Sequence, residues 1–274
     1  MFTRILTALV LLGFIVPFAA LAAPSWFFYF VALIFAILLW EWLRLLQVPN
    51  GVVIALPVAF LTSLVLVIAD RWLDFWSVAL LVVSISCIGW CVVLVGALSG
   101  RWVPGRLLGS AWAYLACLGA FFAVWLAYQD SLLSLFLAVV VVWIADSGAY
   151  FAGKWFGRMR LAPSISPGKT WEGVLGAVLL NMVVLIGLVS WLPYGWNWAM
   201  AYRWGHPVLA MAVLAFTLLS VAGDLFQSLL KRRAGVKDSG NLLPGHGGLY
   251  DRLDAALVVL PFTVLTQLWA ESRL

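Results

Sequence analysis

Nine runs of about twenty apolar residues decide what this chain can become. A stretch of about 20 such residues crosses a hydrocarbon core of about 30 Å as a helix, because in lipid every backbone amide must bond inside its own segment. The runs lie at 5–22, 26–46, 52–69, 75–98, 111–128, 132–151, 173–192, 207–230 and 253–269. The chain is 65% hydrophobic and 10% charged with a mean hydropathy of +1.09, well above the roughly half-apolar make-up of soluble domains. The expected fold is therefore an all-α, polytopic integral membrane protein of about nine transmembrane helices with no soluble domain. The first run ends in Ala20-Leu21-Ala22, which looks like a signal-peptidase site. Its apolar part is longer than a signal sequence needs, so an uncleaved anchor is expected.

Lysine and arginine then set the orientation. With nine alternating spans, 13 basic residues fall on one side and only Arg71, Arg203 and Arg273 on the other. The basic side is expected in the cytoplasm, with the amino terminus inside and the carboxyl terminus outside. The pI near 9.3 thus reflects topology, and no nucleic-acid partner is implied. Of the 17 tryptophans, Trp26, Trp40, Trp42, Trp72, Trp76, Trp102, Trp191, Trp196, Trp198 and Trp204 stand near span ends and read as interfacial anchors. Cys87, Cys91 and Cys117 lie inside spans without a metal-ligand pattern and read as apolar packing. Glu41 and Arg44, at i and i+3, read as a local ion pair at the end of the second span. Residues 1–98 are otherwise expected to be structural helices that line a lipid groove or a subunit contact, and residues 99–274 to carry the chemistry.

Polar residues gather near the carboxyl end. Residues 223–254 hold four of the eleven acids, five of the sixteen basic residues and one of the two histidines. On a helix Asp224, Ser228 and Lys231 lie at i, i+4 and i+7, so a carboxylate, a hydroxyl and an ammonium share a face. Asp251 and Asp254, at i and i+3, share another. Carboxylates from two helices suit a hard divalent cation such as magnesium, while the basic cluster and the glycines at 245, 247 and 248 suit phosphate. Asp146 falls inside an apolar run, where an acid must face protein, water or a cation.

Ser228-x-Leu230-Lys231-Arg232, Lys237-Asp238, His246-Gly247-Gly248 and Asp251-Arg252-x-Asp254 together resemble the signature of the phosphatidate cytidylyltransferases, also called CDP-diacylglycerol synthases. The blocks at 146–157 and 166–173 resemble two further segments of that family, so the likeness covers about the last 130 residues. Gly168-Lys169-Thr170 is not a P-loop, since Pro163 stands where its first glycine is needed and no strand of a soluble domain precedes it. Lys169 with Ser166 and Thr170, near the start of a helix, still suits phosphate, as does Lys154. His206 reads as a loop residue; His246, flanked by glycines between charged helix ends, reads as a phosphate contact without a second histidine or cysteine for zinc.

The resemblance implies CTP and phosphatidate as substrates, CDP-diacylglycerol and pyrophosphate as products, a role in phospholipid biosynthesis, and the inner membrane of a bacterium. It implies a homodimer as well. Asp224 and Asp251 are the expected magnesium ligands, with Asp254 and Asp146 in support. Lys231, Arg232, Lys237 and Arg252 with Gly247 and Gly248 are the expected hold on the phosphates, and Ser228 a hydrogen-bond donor. Many family members carry an acid where this chain has Gln227, which weakens the case for a second cation, and a serine where it has Ala255. Two other readings stand beside this one: a CTP-dependent lipid kinase, and a cation or proton transporter using the four aspartates as a relay.

Overall fold

The computed structural model describes residues 13, 17–69, 74–100, 103–243, 245 and 247–271, with side chains left out at 65–69. Its helices are α1 (Pro24–Leu45), α2 (Asn50–Ala69), α3 (Phe75–Leu98), α4 (Arg106–Asp130), α5 (Leu132–Phe156), α6 (Trp171–Leu188), α7 (Gly195–Trp204), α8 (His206–Ala234) and α9 (Tyr250–Ala270). Seven of them, all but α2 and α7, are long and apolar enough to cross a membrane, and the described apolar part of α2 is shorter. These seven with α2 coincide with eight of the nine expected spans. The expected first span lies mostly outside the described residues.

Two elements depart from expectation. Residues 157–170, read as a loop, form a hairpin of β1 (Arg160–Ala162) and antiparallel β2 (Ser166–Thr170), which hands the chain to α6. The segment read as a far-side loop holds α7, with Trp196 and Asn197 fully buried. The Trp196 indole donates to the Leu137 carbonyl at 3.0 Å, and Asn197 Nδ2 to the Leu185 carbonyl at 3.2 Å. A short helix is enough here because two side-chain donors fasten it to the ends of α5 and α6.

Small residues bring α5 and α6 together. A methyl group at Gly148 would stand 2.7 Å from the Gly176 carbonyl, so the two backbones approach as only glycine permits. Across this pair α8 packs on α6 and α9 on α8. Asn181 of α6, fully buried, donates to the Val141 carbonyl at 3.2 Å and to Thr217 of α8 at 2.9 Å. At the other end of the bundle Trp42 stacks on Trp90 and on Tyr250, with centroids 5.9 and 5.1 Å apart. Trp42, Trp90 and Trp196 are thus core residues, a correction to the reading of Trp42 and Trp196 as interfacial anchors. Trp26, Trp76 and Trp191 are more than half exposed, as anchors should be. The spanning helices alternate in direction, and among the described basic residues Arg203 stands alone on the face opposite the others.

Candidate active site

A cleft of about 290 Å³ opens where α5, α6, α8 and the hairpin meet. α5 contributes Asp146, Tyr150, Gly153 and Lys154, the hairpin Gly168, Lys169 and Thr170, and α8 Val221 and Asp224. The hairpin is what makes this possible: Thr170 ends β2 and its Oγ1 accepts from the Gly173 amide at 3.1 Å, capping α6. That cap fixes the preceding residue, Lys169. Its ammonium lies 2.6 Å from Asp224 Oδ2 and donates to the Val221 carbonyl at 3.4 Å.

The helical spacing of Asp224 and Ser228 is realised in a hydrogen bond, Ser228 Oγ donating to Asp224 Oδ1 at 3.4 Å. Lys154 lies over the Tyr150 ring, 5.7 Å from its centroid. Ser147 spends its hydroxyl on the Trp143 carbonyl at 2.8 Å, so Asp146 is not served by its neighbour and faces the cleft. The charges acting on Asp146 are those of Asp224, Lys169 and Arg252, and those acting on Asp254 are Asp224, Asp146 and Lys169. Three carboxylates from three helices therefore share one electrostatic environment.

Asp251 belongs to a second cluster. Its Oδ1 accepts from Lys231 Nζ at 2.8 Å and Gln227 Nε2 at 3.0 Å. Its Oδ2 accepts from the Ser239 amide at 2.8 Å, the Ser239 hydroxyl at 3.0 Å and the Gly248 amide at 2.9 Å. Gly247 has φ +83, and a Cβ there would sit 2.8 Å from the same Oδ2, so the left-handed turn and the close approach both require glycine. Gln227 explains itself here: an amide donates to Asp251 where a carboxylate would repel it.

The expected site residues thus divide. Asp146, Lys154, Lys169, Thr170, Asp224, Ser228 and Asp254 gather in or act on the cleft; Lys231, Gly247, Gly248 and Asp251 build the loop that enters α9. Arg232 straps α8 to the hairpin, its Nε donating to the Ile165 carbonyl at 3.2 Å. Ser166 pairs with Ala162 in the hairpin, Lys237 is exposed on the loop, and the exposed Arg252 acts on Asp146. His246 lies outside the described residues.

Ser239 went unread in the sequence, Gln227 was read only as a missing acid, and Glu41 was given a different partner. The last is a correction, since Glu41 bonds not Arg44 but Ser239, Leu249 and Tyr250, about 200 residues away, while Arg44 lies over the Trp40 ring at 4.9 Å.

Among the described residues no three His, Cys, Asp or Glu side chains converge closely enough to hold a metal ion. Lysine nitrogens lie against both Asp224 and Asp251, and an ion on either carboxylate would compete with them. In donor chemistry the site fits a hard cation: Asp146, Asp224 and Asp254 offer only carboxyl oxygens, and they act on one another.

Residues 2–269 match the model of a cytidylyltransferase family. The phosphatidate cytidylyltransferase of Pseudomonas aeruginosa is 37% identical, the match covering 97% of this chain and 96% of that protein. That of Haemophilus influenzae is 32% identical over 94% and 96%. That of Bacillus subtilis is 43% identical over 49% of this chain and 47% of its own.

Proposed function

The chain belongs to the cytidylyltransferase family, and from that premise we propose that its cleft condenses CTP with phosphatidate to CDP-diacylglycerol and pyrophosphate. The observation that carries this reading is the meeting of Lys169 and Asp224 beside Asp146, inside a bundle of membrane-spanning helices and open towards their basic face.

A phosphate monoester with a second pKa near ~6 is largely a dianion at neutral pH, so the lipid needs no general base. Its oxygen attacks the α-phosphorus of CTP. A new phosphoanhydride bond forms, the bond from that phosphorus to the bridging oxygen of the β-phosphate breaks, and pyrophosphate carries the electron pair away. The difficulty is bringing two anions together, and fixed cations lower it. Lys154 and Lys169 face the cleft, where triphosphate oxygens compete with Asp224 for Lys169. Lys231 and Arg232 end α8 on the basic face, and these are the charges that would meet the lipid headgroup.

We further propose magnesium held by Asp224 with support from Asp146 and Asp254, and by Asp251 once Lys231 turns to phosphate. The ion would offset charge on the triphosphate and the leaving pyrophosphate. The positive-inside rule puts the basic face in the cytoplasm, with the protein in the inner membrane of a bacterium. A transport relay fits less well: Asp146, Asp224 and Asp254 act on one another in one place, and no described acid joins them to Asp130 and Glu271 on the far face.

The test is incubation of the purified protein with labelled CTP, phosphatidate and magnesium. CDP-lipid with equimolar pyrophosphate is expected, abolished by EDTA and restored by magnesium. Free CDP with a phosphorylated lipid would mark a kinase and overturn the reading.

A further inference from the structure

Resting on that reaction, we propose that Glu41 is a positioning residue for it: a buried carboxylate of α1 that fixes Ser239 and the start of α9 and, through Ser239, the orientation of Asp251. Glu41 is wholly buried near the end of α1. Its Oε1 accepts from the Leu249 amide at 3.1 Å, and its Oε2 from the Tyr250 amide at 2.7 Å and the Ser239 hydroxyl at 2.9 Å. The two amides open α9, where the helix leaves donors without intrahelical partners and where Leu249 supplies no side-chain cap. A carboxylate from another helix does that work, at the positive end of the α9 dipole.

The surroundings are shaped to this carboxylate. A Cβ at Gly240 would stand 2.5 Å from Glu41 Oε1, and one at Gly248 would collide with Oε2 and with Ser239 Oγ. Trp42, the next residue of α1, stacks on Tyr250 and holds the same helix start from the side.

Ser239 joins Glu41 to Asp251. Its hydroxyl lies 2.9 Å from Glu41 Oε2 and 3.0 Å from Asp251 Oδ2, and its one proton serves one of them at a time. When substrate or a cation draws Asp251 away, the hydroxyl keeps an acceptor in Glu41. The loop can therefore stay in place while the Asp251 carboxylate changes partner.

The experiment measures the CTP concentration for half-maximal CDP-lipid formation by the purified full-length protein. This quantity does not depend on the fraction of enzyme that is folded, so a merely structural defect leaves it unmoved. Glu41→Gln keeps the volume but replaces one of the two accepting oxygens with an amide N–H, which then faces the Leu249 amide or the Tyr250 and Ser239 donors; Ser239→Ala removes the link. Each variant should raise the half-saturating CTP concentration at least threefold, and the double variant no further than the larger single effect, because both break one chain. Less than threefold in Ser239→Ala, or single effects that multiply in the double variant, overturns the proposal. Ser239→Ala decides alone should Glu41→Gln fail to fold. Arg44→Ala, which removes the neighbouring charge without touching the carboxylate, should stay within threefold. A parent protein that makes no CDP-lipid sinks the reaction; the hold of Glu41 on Ser239 and the start of α9 is then read by trypsin cleavage after Lys237. Cleavage should be at least tenfold faster in Glu41→Gln and Ser239→Ala, and equal rates overturn the proposal.

Discussion

Lys169 Nζ lies 2.6 Å from Asp224 Oδ2, a contact that ties the hairpin to α8 across the cleft. The two side chains are 22% and 35% exposed, so solvent screens the pair and its contribution to stability is at most about 1 kcal/mol. Its contribution to function is expected to be far larger. Lys169→Met and Asp224→Asn should each lower kcat/KM for CDP-lipid formation by at least about 100-fold, about 2.7 kcal/mol of transition-state stabilisation, with little change in melting temperature. Turnover near that of the parent in either variant would count against the assignment.

Asp251 presents the opposite balance. Five donors converge on a carboxylate that is 6% exposed, and an asparagine can accept at only one of the two oxygens. Asp251→Asn should therefore abolish CDP-lipid formation and also lower stability by roughly 2–4 kcal/mol, because Lys231 or the Ser239 amide loses its acceptor. Thermal unfolding in detergent and product formation, measured together, check both halves.

Gly248 lies between Ser239 and Glu41 with no room for a methyl group. Gly248→Ala should cost about 1–3 kcal/mol of stability by overpacking, visible as a lower melting temperature. An unchanged melting temperature would mean that the loop adopts another shape.

The buried Trp196 indole holds α7 to the end of α5 through the Leu137 carbonyl. Trp196→Phe keeps most of the apolar contact but removes that hydrogen bond, and about 0.5–1.5 kcal/mol of stability should be lost. Denaturation of the two proteins in the same detergent tests this.

The eight helices that coincide with apolar runs were legible because length alone identifies a spanning segment. Their ends were not: α8 runs on through Lys231, Arg232 and Arg233, which hydropathy cuts off although the backbone continues. The hairpin escaped notice because strands of three and five residues are too short to show a pattern, and α7 because ten residues are too few to span. At the site, local spacing identified Asp224 with Ser228 and the clustering of charge, both properties of a single helix or loop. Partnership between distant segments could not be read this way. Glu41 beside Arg44 offered a local explanation, and the true one depends on donors about 200 residues further on.

The depth of Asp146 has an electrical consequence. It stands ten residues before the end of α5 and fourteen after its start, so the cleft it lines reaches about 15 Å along that helix and leaves about 21 Å of helix beneath. Wherever water enters the cleft with the substrates, the membrane potential is concentrated across the thinner slab below. The Asn181, Thr217 and Val141 knot and the Trp196 plug beneath the cleft act as its insulation, so loosening them should show as ion leakage in sealed vesicles as well as instability.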